Sequence, residues 1–430
     1  MGRMRLLHGW SVDLSPVREF REFRLIFYGQ IINELGSEMT RVALPYQLYL
    51  LTHSVADLGV LATVQLLGLV SFSFTGGAIA DMLDRCRLIL WAQLGLAGVS
   101  AALAALAFTH SATPWMLYVL AFVTGVFAAV DRPTRQAVVP LLVRRDAVTS
   151  AIALNQVGQK LARIIGPGIG GVIIASLDVS AVYVFDVATY AVAIGCVLRM
   201  AAIPAANTGS KLGGAAIVEA LRYVRQTPYL LSSLVMDFNA MLFGLPVALF
   251  PPLALDVFHV GPQGLGVLMA AQPLGAVLGG LSSGWLLRMR YQGRVVIVSV
   301  IAWGVCMTAL GLSPWFPLTV AFMVLGGVAN LISAVTRASI VQLTTPNSLR
   351  GRVSGFSSLI SHGGPRLGDL EAATVAAWSS PQVSIVSGGV LCLVGVVVVC
   401  RLFPQLAAYE AQSEVADEPV PVSGAVALAR

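Results

Sequence analysis

Twelve apolar runs, each near the roughly 20 residues that a helix needs to cross about 30 Å of hydrocarbon, constrain this chain more than any other feature. They fall at about 25–51, 58–80, 88–109, 115–135, 150–177, 180–200, 229–256, 265–287, 294–312, 315–337, 353–377 and 383–403. A segment without water must satisfy its own backbone hydrogen bonds, and a helix does so internally. Composition agrees: 57% of the residues are hydrophobic, only 11% are charged and the mean hydropathy is +0.81. Soluble domains carry about 25% charged residues, so an ordinary soluble enzyme is excluded and the bilayer is the expected solvent. The sequence predicts an all-α membrane protein with twelve transmembrane helices.

The net charge of +6 takes its meaning from position. Arg85 and Arg87, Arg144 and Arg145, the segment from Arg199 through Lys211, Arg222 and Arg225, Arg288, Arg290 and Arg294, and Arg350 and Arg352 all lie in alternate connectors. The connectors 52–57, 256–263, 313–314 and 378–382 contain neither Lys nor Arg. This is the positive-inside bias, and it predicts cytoplasmic termini and central loop in a multi-pass protein of the cell membrane, with no nucleic-acid partner. No apolar signal-peptide region precedes the first run, so residues 1–22 are expected to be an uncleaved leader. Trp115 and Trp315 open the fourth and tenth runs, where interfacial rings belong.

The chain also repeats itself. Leu58 to Gly68 and Leu265 to Gly275 match at seven of eleven positions with an offset of 207. Pro114-Trp115 matches Pro314-Trp315 at 200, Thr134-Arg135 matches Thr336-Arg337 at 202, and Gly166-Pro167 matches Gly364-Pro365 at 198. Matches in one order at nearly one offset imply a duplicated six-span unit. Six is even, so both copies enter from the same side and form parallel repeats. The expected organisation is a leader at 1–22, an N-terminal six-helix bundle at 23–200, a cytoplasmic linker at 201–228, a C-terminal bundle at 229–404 and a disordered tail at 405–430.

Two six-span halves and the segment Gly77-Ala78-Ile79-Ala80-Asp81-Met82-Leu83-Asp84-Arg85-Cys86-Arg87 between the second and third spans resemble the major facilitator superfamily. Leu51-Thr52-His53-Ser54, Pro133-Thr134-Arg135-Gln136, Arg163 to Gly171, Leu249-Phe250-Pro251 and Leu349 to Gly355 resemble its branch of enterobactin and macrolide-efflux-like exporters. The resemblance implies the major facilitator fold and alternating access. It further implies gating by Gly77, Asp81, Arg85, Arg87, Arg135 and Arg352, and an antiporter-like motif at Gly166, Pro167, Gly170 and Gly171.

Covalent chemistry is not expected. The chain contains no G-x-x-x-x-G-K-[ST] and no H-E-x-x-H. Its five histidines are scattered and its five cysteines lack ligand spacing, so neither metal nor cofactor is expected. Charges inside the spans are the positive signal, because each costs about 2.5–3.5 kcal/mol or more at the bilayer centre and should face a cavity or a partner. Glu34, Glu38 and Arg41 share one face of the first span. Either they handle protons in a central cavity, or Glu38 and Arg41 simply pair. Lys160 and Arg163 in the fifth span could complement them, or could snorkel to the interface. Asp237 and Asn239 occupy the first span's counterpart in the second half, making Asp237 a third proton-coupling candidate beside Glu34 and Glu38. Arg366 and Asp369 in the eleventh span could line the cavity or pair locally, as could Glu371 nearby. Asp186 is expected near the end of its span and carries little weight.

The resulting expectation is a secondary transporter working as a monomer, with protons, the bilayer and a small amphipathic organic substrate as its partners. Export is favoured. An import permease of the same fold and a non-transporting receptor or scaffold are the alternatives.

Overall fold

The computed structural model describes residues 13–82, 84–201, 214–244, 246–281 and 289–410; within these, the side chains of 73–82, 214–217, 220, 347, 348, 351, 358, 359 and 362 are not described. Twelve long helices follow in order. The first six are α1 (Arg21–Thr52), α2 (Val55–Met82), α3 (Arg85–Phe108), α4 (Pro114–Val138), α5 (Val148–Ser176) and α6 (Val179–Leu198). The second six are α7 (Pro228–Gly244), α8 (Gly261–Leu281), α9 (Gln292–Leu312), α10 (Phe316–Thr344), α11 (Asn347–Trp378) and α12 (Pro381–Leu402). Among the described residues nine of these helices are long and apolar enough to cross a membrane. The other three, α1, α5 and α11, are the ones that hold most of the intramembrane charge.

Local chemistry sets the ends. Asp84 caps α3 by accepting the Arg87 N–H at 3.0 Å. Proline opens α4 and α12, where its missing N–H costs nothing. His53 and His259, related by the repeat, leave α1 and the continuation of α7 in the left-handed region, with φ of 47° and 51°. The exposed Trp115, Trp315 and Trp378 ring that same end of the bundle.

The packing obeys the repeat. In the first half α1 lies against α5 and α6, α2 against α4, and α3 against α6. The second half reproduces each pairing six helices later: α7 against α11 and α12, α8 against α10, and α9 against α12. The halves meet through α2 on α11 and α5 on α8. Advancing each of those pairs by six helices turns one into the other, which is what a two-fold axis between parallel repeats requires.

Four expectations change. The seventh span is not one continuous helix. Pro246, Pro251 and Pro252 withhold N–H donors, so α7 stops at Gly244 and the chain continues through a 3-10 turn (Val247–Leu249), a single α turn (Phe250–Pro252) and a π turn (Leu253–Val257). The tail is ordered at its start: Gln405–Ala408 forms a short helix that buries Leu406, Tyr409 packs on Tyr229, and Arg290 binds Glu410 at 2.7 Å. The linker contains a helix, Gly214–Gln226, and α11 begins at Asn347 rather than near 353. The expected end of the eighth span, 282–287, lies outside the described residues.

Candidate functional site

The predicted face of α1 meets α5. Glu38 is almost wholly enclosed, its side chain 3% exposed, and its Oε1 lies 3.0 Å from Arg41 and 3.6 Å from Arg163. Glu34 is more open at 18% and its Oε1 stands 3.8 Å from the same Arg163 Nε. Arg41 and Arg163, mid-helix in spans, are nevertheless 45% and 41% exposed, on the face toward the second half, the cleft face, where Arg366 comes within electrostatic reach of Arg41. Two carboxylates thus share one guanidinium, and one carboxylate has a second. Lys160, one turn earlier on α5, is exposed and forms no ion pair among the described residues.

One cleft residue was missed. Arg132 of α4 lies within electrostatic reach of Arg41, Glu34, Arg163 and Glu38, and Arg366 of α11 lies within reach of Arg41 and Arg132. Its signal was present, because Asp131, Arg132 and Arg135 are charges inside an apolar run. Arg135, expected to gate, is instead buried in its own half, where its Nε donates to Asp131 Oδ1 at 2.8 Å one turn away.

In the second half the expected cavity residues turn inward. Asp237 of α7 pairs with Arg337 of α10 at 2.5 Å and accepts Ser361 of α11 at 2.8 Å. Arg337 also donates to Ser333, the residue 202 positions after Asp131. The repeat therefore keeps the arginine of Thr134-Arg135 and Thr336-Arg337 but moves its carboxylate from the same helix to a neighbouring one. Asn239 is not a cavity residue: it is buried and donates to the Cys392 carbonyl of α12 at 2.9 Å. Asp369 lies within electrostatic reach of Arg366, one turn earlier on α11. Its Oδ1 accepts the Ala248 N–H at 2.8 Å, filling the break that the prolines make after α7.

The halves approach closely at the end that carries the connectors without Lys or Arg. There Tyr49 of α1 donates to Asp256, which follows α7 in the other half. The antiporter-like glycines divide between two partners. A Cβ on Gly166 would lie 2.7 Å from Glu38 Cβ, and one on Gly170 would lie 3.1 Å from Met39 Cα, so these two let α5 lie on α1 beside the charged face. Gly171 faces the other way, where a Cβ would stand 3.2 Å from Gln263 Cα of the second half and nearer still to the Pro262 carbonyl. Substituting Gly171→Val should therefore cost this closed arrangement about 1–3 kcal/mol. The distance between spin labels at Leu177→Cys and Leu312→Cys, exposed sites on that end of each half, is expected to lengthen; an unchanged distance would contradict this role.

The other gating residues are distributed differently. Arg85 donates to the Ala137 carbonyl of α4 at 3.2 Å, within the first half. Arg352 binds Glu219 of the linker helix at 2.7 Å. Arg87 contributes its backbone N–H to the Asp84 cap. Gly77 and Asp81 lie on α2 in the stretch whose side chains are outside the described residues. Among the described residues no cluster of His, Cys, Asp and Glu is arranged to hold a metal.

A family model described as a transmembrane secretion effector matches residues 11–428. The chain is similar to the enterobactin exporter of Citrobacter koseri, 26% identical over 395 residues that cover 91% of this chain and 94% of that protein. Its similarity to the enterobactin exporter of Shigella boydii serotype 18 is 25% over the same length and coverage. Among solved structures, the nucleoside transporter NupG superposes with a TM-score of 0.68 at 16% identity, covering 90% of this chain and 99% of that one. A bacterial homologue of the human lysosomal transporter Spinster, inward-facing and unoccupied, superposes with a TM-score of 0.71 at 14% identity, covering 90% and 98%.

Proposed function

Because this chain belongs to the transmembrane secretion effector family of the major facilitator superfamily, a family of integral membrane transporters, we propose that it exports a small amphipathic organic molecule in exchange for protons. The observation that carries this reading is the pair Glu34 and Glu38 on the cleft face of α1, competing for Arg163. Antiport requires proton and substrate to exclude one another. A substrate hydroxyl or N–H that donates to Glu34 occupies the oxygen a proton would otherwise take, while Arg41, Arg132 and Arg163 supply donors to the substrate's own acceptors.

Direction and orientation form part of the same proposal. The positive-inside bias assigns the arginine-bearing end to the cytoplasm, in the cell membrane, with both termini on that side and the monomer as the working unit. The end closed by Tyr49 and Asp256 then faces outward, and the cleft loads from the cytoplasm. The names of the enterobactin exporters among its relatives support export of a siderophore-like molecule.

Purified protein in proteoliposomes, screened with enterobactin, a macrolide and a cationic dye under an imposed pH gradient, tests this reading. Flux of at least one compound is expected to follow the gradient, to move protons the opposite way and to ignore ATP. Flux that persists unchanged after the gradient is collapsed would overturn proton coupling.

A further inference from the structure

A second polar stripe runs along α1 beside the first. Gln30, Asn33, Ser37, Thr40 and Gln47 are spaced by three, four, three and seven residues, the spacing of one helix face. They point away from the cleft into the interior of the first half. Tyr183 of α6 donates to Gln47 Oε1 at 2.7 Å, and Ser37 Oγ lies 3.2 Å from Tyr190 OH. Between those two contacts sits Asp186, only 2% exposed. Its Oδ2 accepts Thr40 of α1 at 2.8 Å and Ser100 of α3 at 2.6 Å, and its Oδ1 faces Thr189 at 3.5 Å. α1 comes close enough for this because residue 36 is glycine: a Cβ there would lie 2.7 Å from Asp186 Oδ1.

No basic side chain forms an ion pair with Asp186 among the described residues; hydroxyls alone surround its oxygens. The titratable groups near it are Tyr183 and Tyr190 on its own helix, Asp178 at the start of that helix, which reaches Tyr183, and the Asp131–Arg135 pair of α4, which reaches Tyr190. On this side α1 and α3 offer hydroxyls, while Glu34 and Glu38 stand on the cleft side of α1. A carboxylate removed from water and left without a cation is costly in its charged form. A structural acceptor in this place needs no charge, and an asparagine would bridge three helices as well. Further along the stripe Gln30 Oε1, Asn33 Oδ1, Gln93 Oε1 and Arg135 Nη2 are buried with no hydrogen-bond partner among the described residues, and Gln30, Gln93 and Arg135 line one small recess.

We propose that Asp186 is a second proton-binding site of the transport cycle, placed behind α1 between α1, α3 and α6 rather than in the cleft. The proposal rests on the proton-coupled reading above. Ionised, Asp186 accepts both Thr40 and Ser100. On taking a proton it becomes a donor, so one of those hydroxyls must turn and accept it, and that hydroxyl's own hydrogen must point elsewhere. No atom is lost; one hydrogen bond reverses. Thr40 lies between Glu38 and Arg41, so the reversal acts on the turn of α1 that bears the cleft charges.

Infrared difference titration of the full-length protein in lipid nanodiscs, without substrate, tests this directly. A carboxylic-acid C=O band is expected to grow as the pH falls, to be absent in Asp186→Asn and to persist in Glu34→Gln. Should Asp186→Asn fail to fold, Ser100→Ala and Thr40→Val, each removing one donor, should move the pH at which the band appears. A band untouched by the Asp186 substitution, or by both donor substitutions, overturns the proposal. Measured beside it, enterobactin flux that ignores the pH gradient would overturn the proton-coupled reading, while the band still decides whether Asp186 binds a proton.

Discussion

Replacing Asp237 by alanine is expected to remove most of the folded protein from the membrane, because it strands Arg337 in the core of the second half. The pair is buried on both sides, its partners 3% and 8% exposed, and among the described residues only Ser333 would be left to satisfy the guanidinium. Breaking a buried pair by deleting one partner costs about 3–5 kcal/mol, whereas replacing both partners by apolar groups of similar volume is often neutral. The double substitution Asp237→Leu with Arg337→Met should therefore recover much of the yield and the melting temperature that Asp237→Ala loses. Detergent-solubilised yield and thermal unfolding of the single and double variants check this. If Asp237→Ala instead folds normally and loses only gradient-driven flux, the residue is a proton carrier and the pair is incidental.

The second large effect belongs to α1. Glu38 has two arginines within 3.6 Å and little solvent, while Glu34 has one at 3.8 Å and more solvent. Glu38 is thus bound from two sides and enclosed, whereas Glu34 is held from one side and more open. Glu34→Gln is therefore expected to abolish gradient-driven transport while leaving substrate binding and counterflow intact. Glu38→Gln should chiefly reduce folded protein, by leaving Arg41 and Arg163 without their enclosed partner. Gradient-driven flux and counterflow, measured in the same vesicles, separate the two. A fully active Glu34→Gln protein would refute the assignment.

Helix count, repeat and the shared face of Glu34, Glu38 and Arg41 were legible because each is periodic along one stretch of chain. The Glu38–Arg41 pair could be read for the same reason. What escaped was whatever depends on a partner far away in sequence. Asp237 looked like a free carboxylate since its arginine lies 100 residues on. Asn239 looked like a cavity residue since nothing local announces the Cys392 carbonyl. Asp186 reads as a residue near the end of its span, since nothing local announces the Thr40 and Ser100 hydroxyls of α1 and α3 that it accepts. Some of this was recoverable: the matched Thr-Arg dipeptides pointed to Arg135 and Arg337 as counterparts, and the stripe from Gln30 to Gln47 has a helical period that apolarity alone does not register. The break after Gly244 is foreshadowed by three prolines, but which group would satisfy the freed Ala248 N–H required the packed neighbour.

The linker helix Gly214–Gln226 is fastened to the second half. Tyr223 donates to the Thr344 carbonyl at 2.5 Å, Glu219 holds Arg352, and Val224 is buried with Leu230, Leu234, Val341, Leu349 and Val353. All of these partners belong to the second half. The described part of the linker thus packs with the second half. A gene divided in two for co-expression should be cut between codons 202 and 213, so that the linker helix is translated with the half whose surface it covers. Cutting after Gln226 instead would hand the first half an orphan amphipathic segment and strip the second of a wall of its own core.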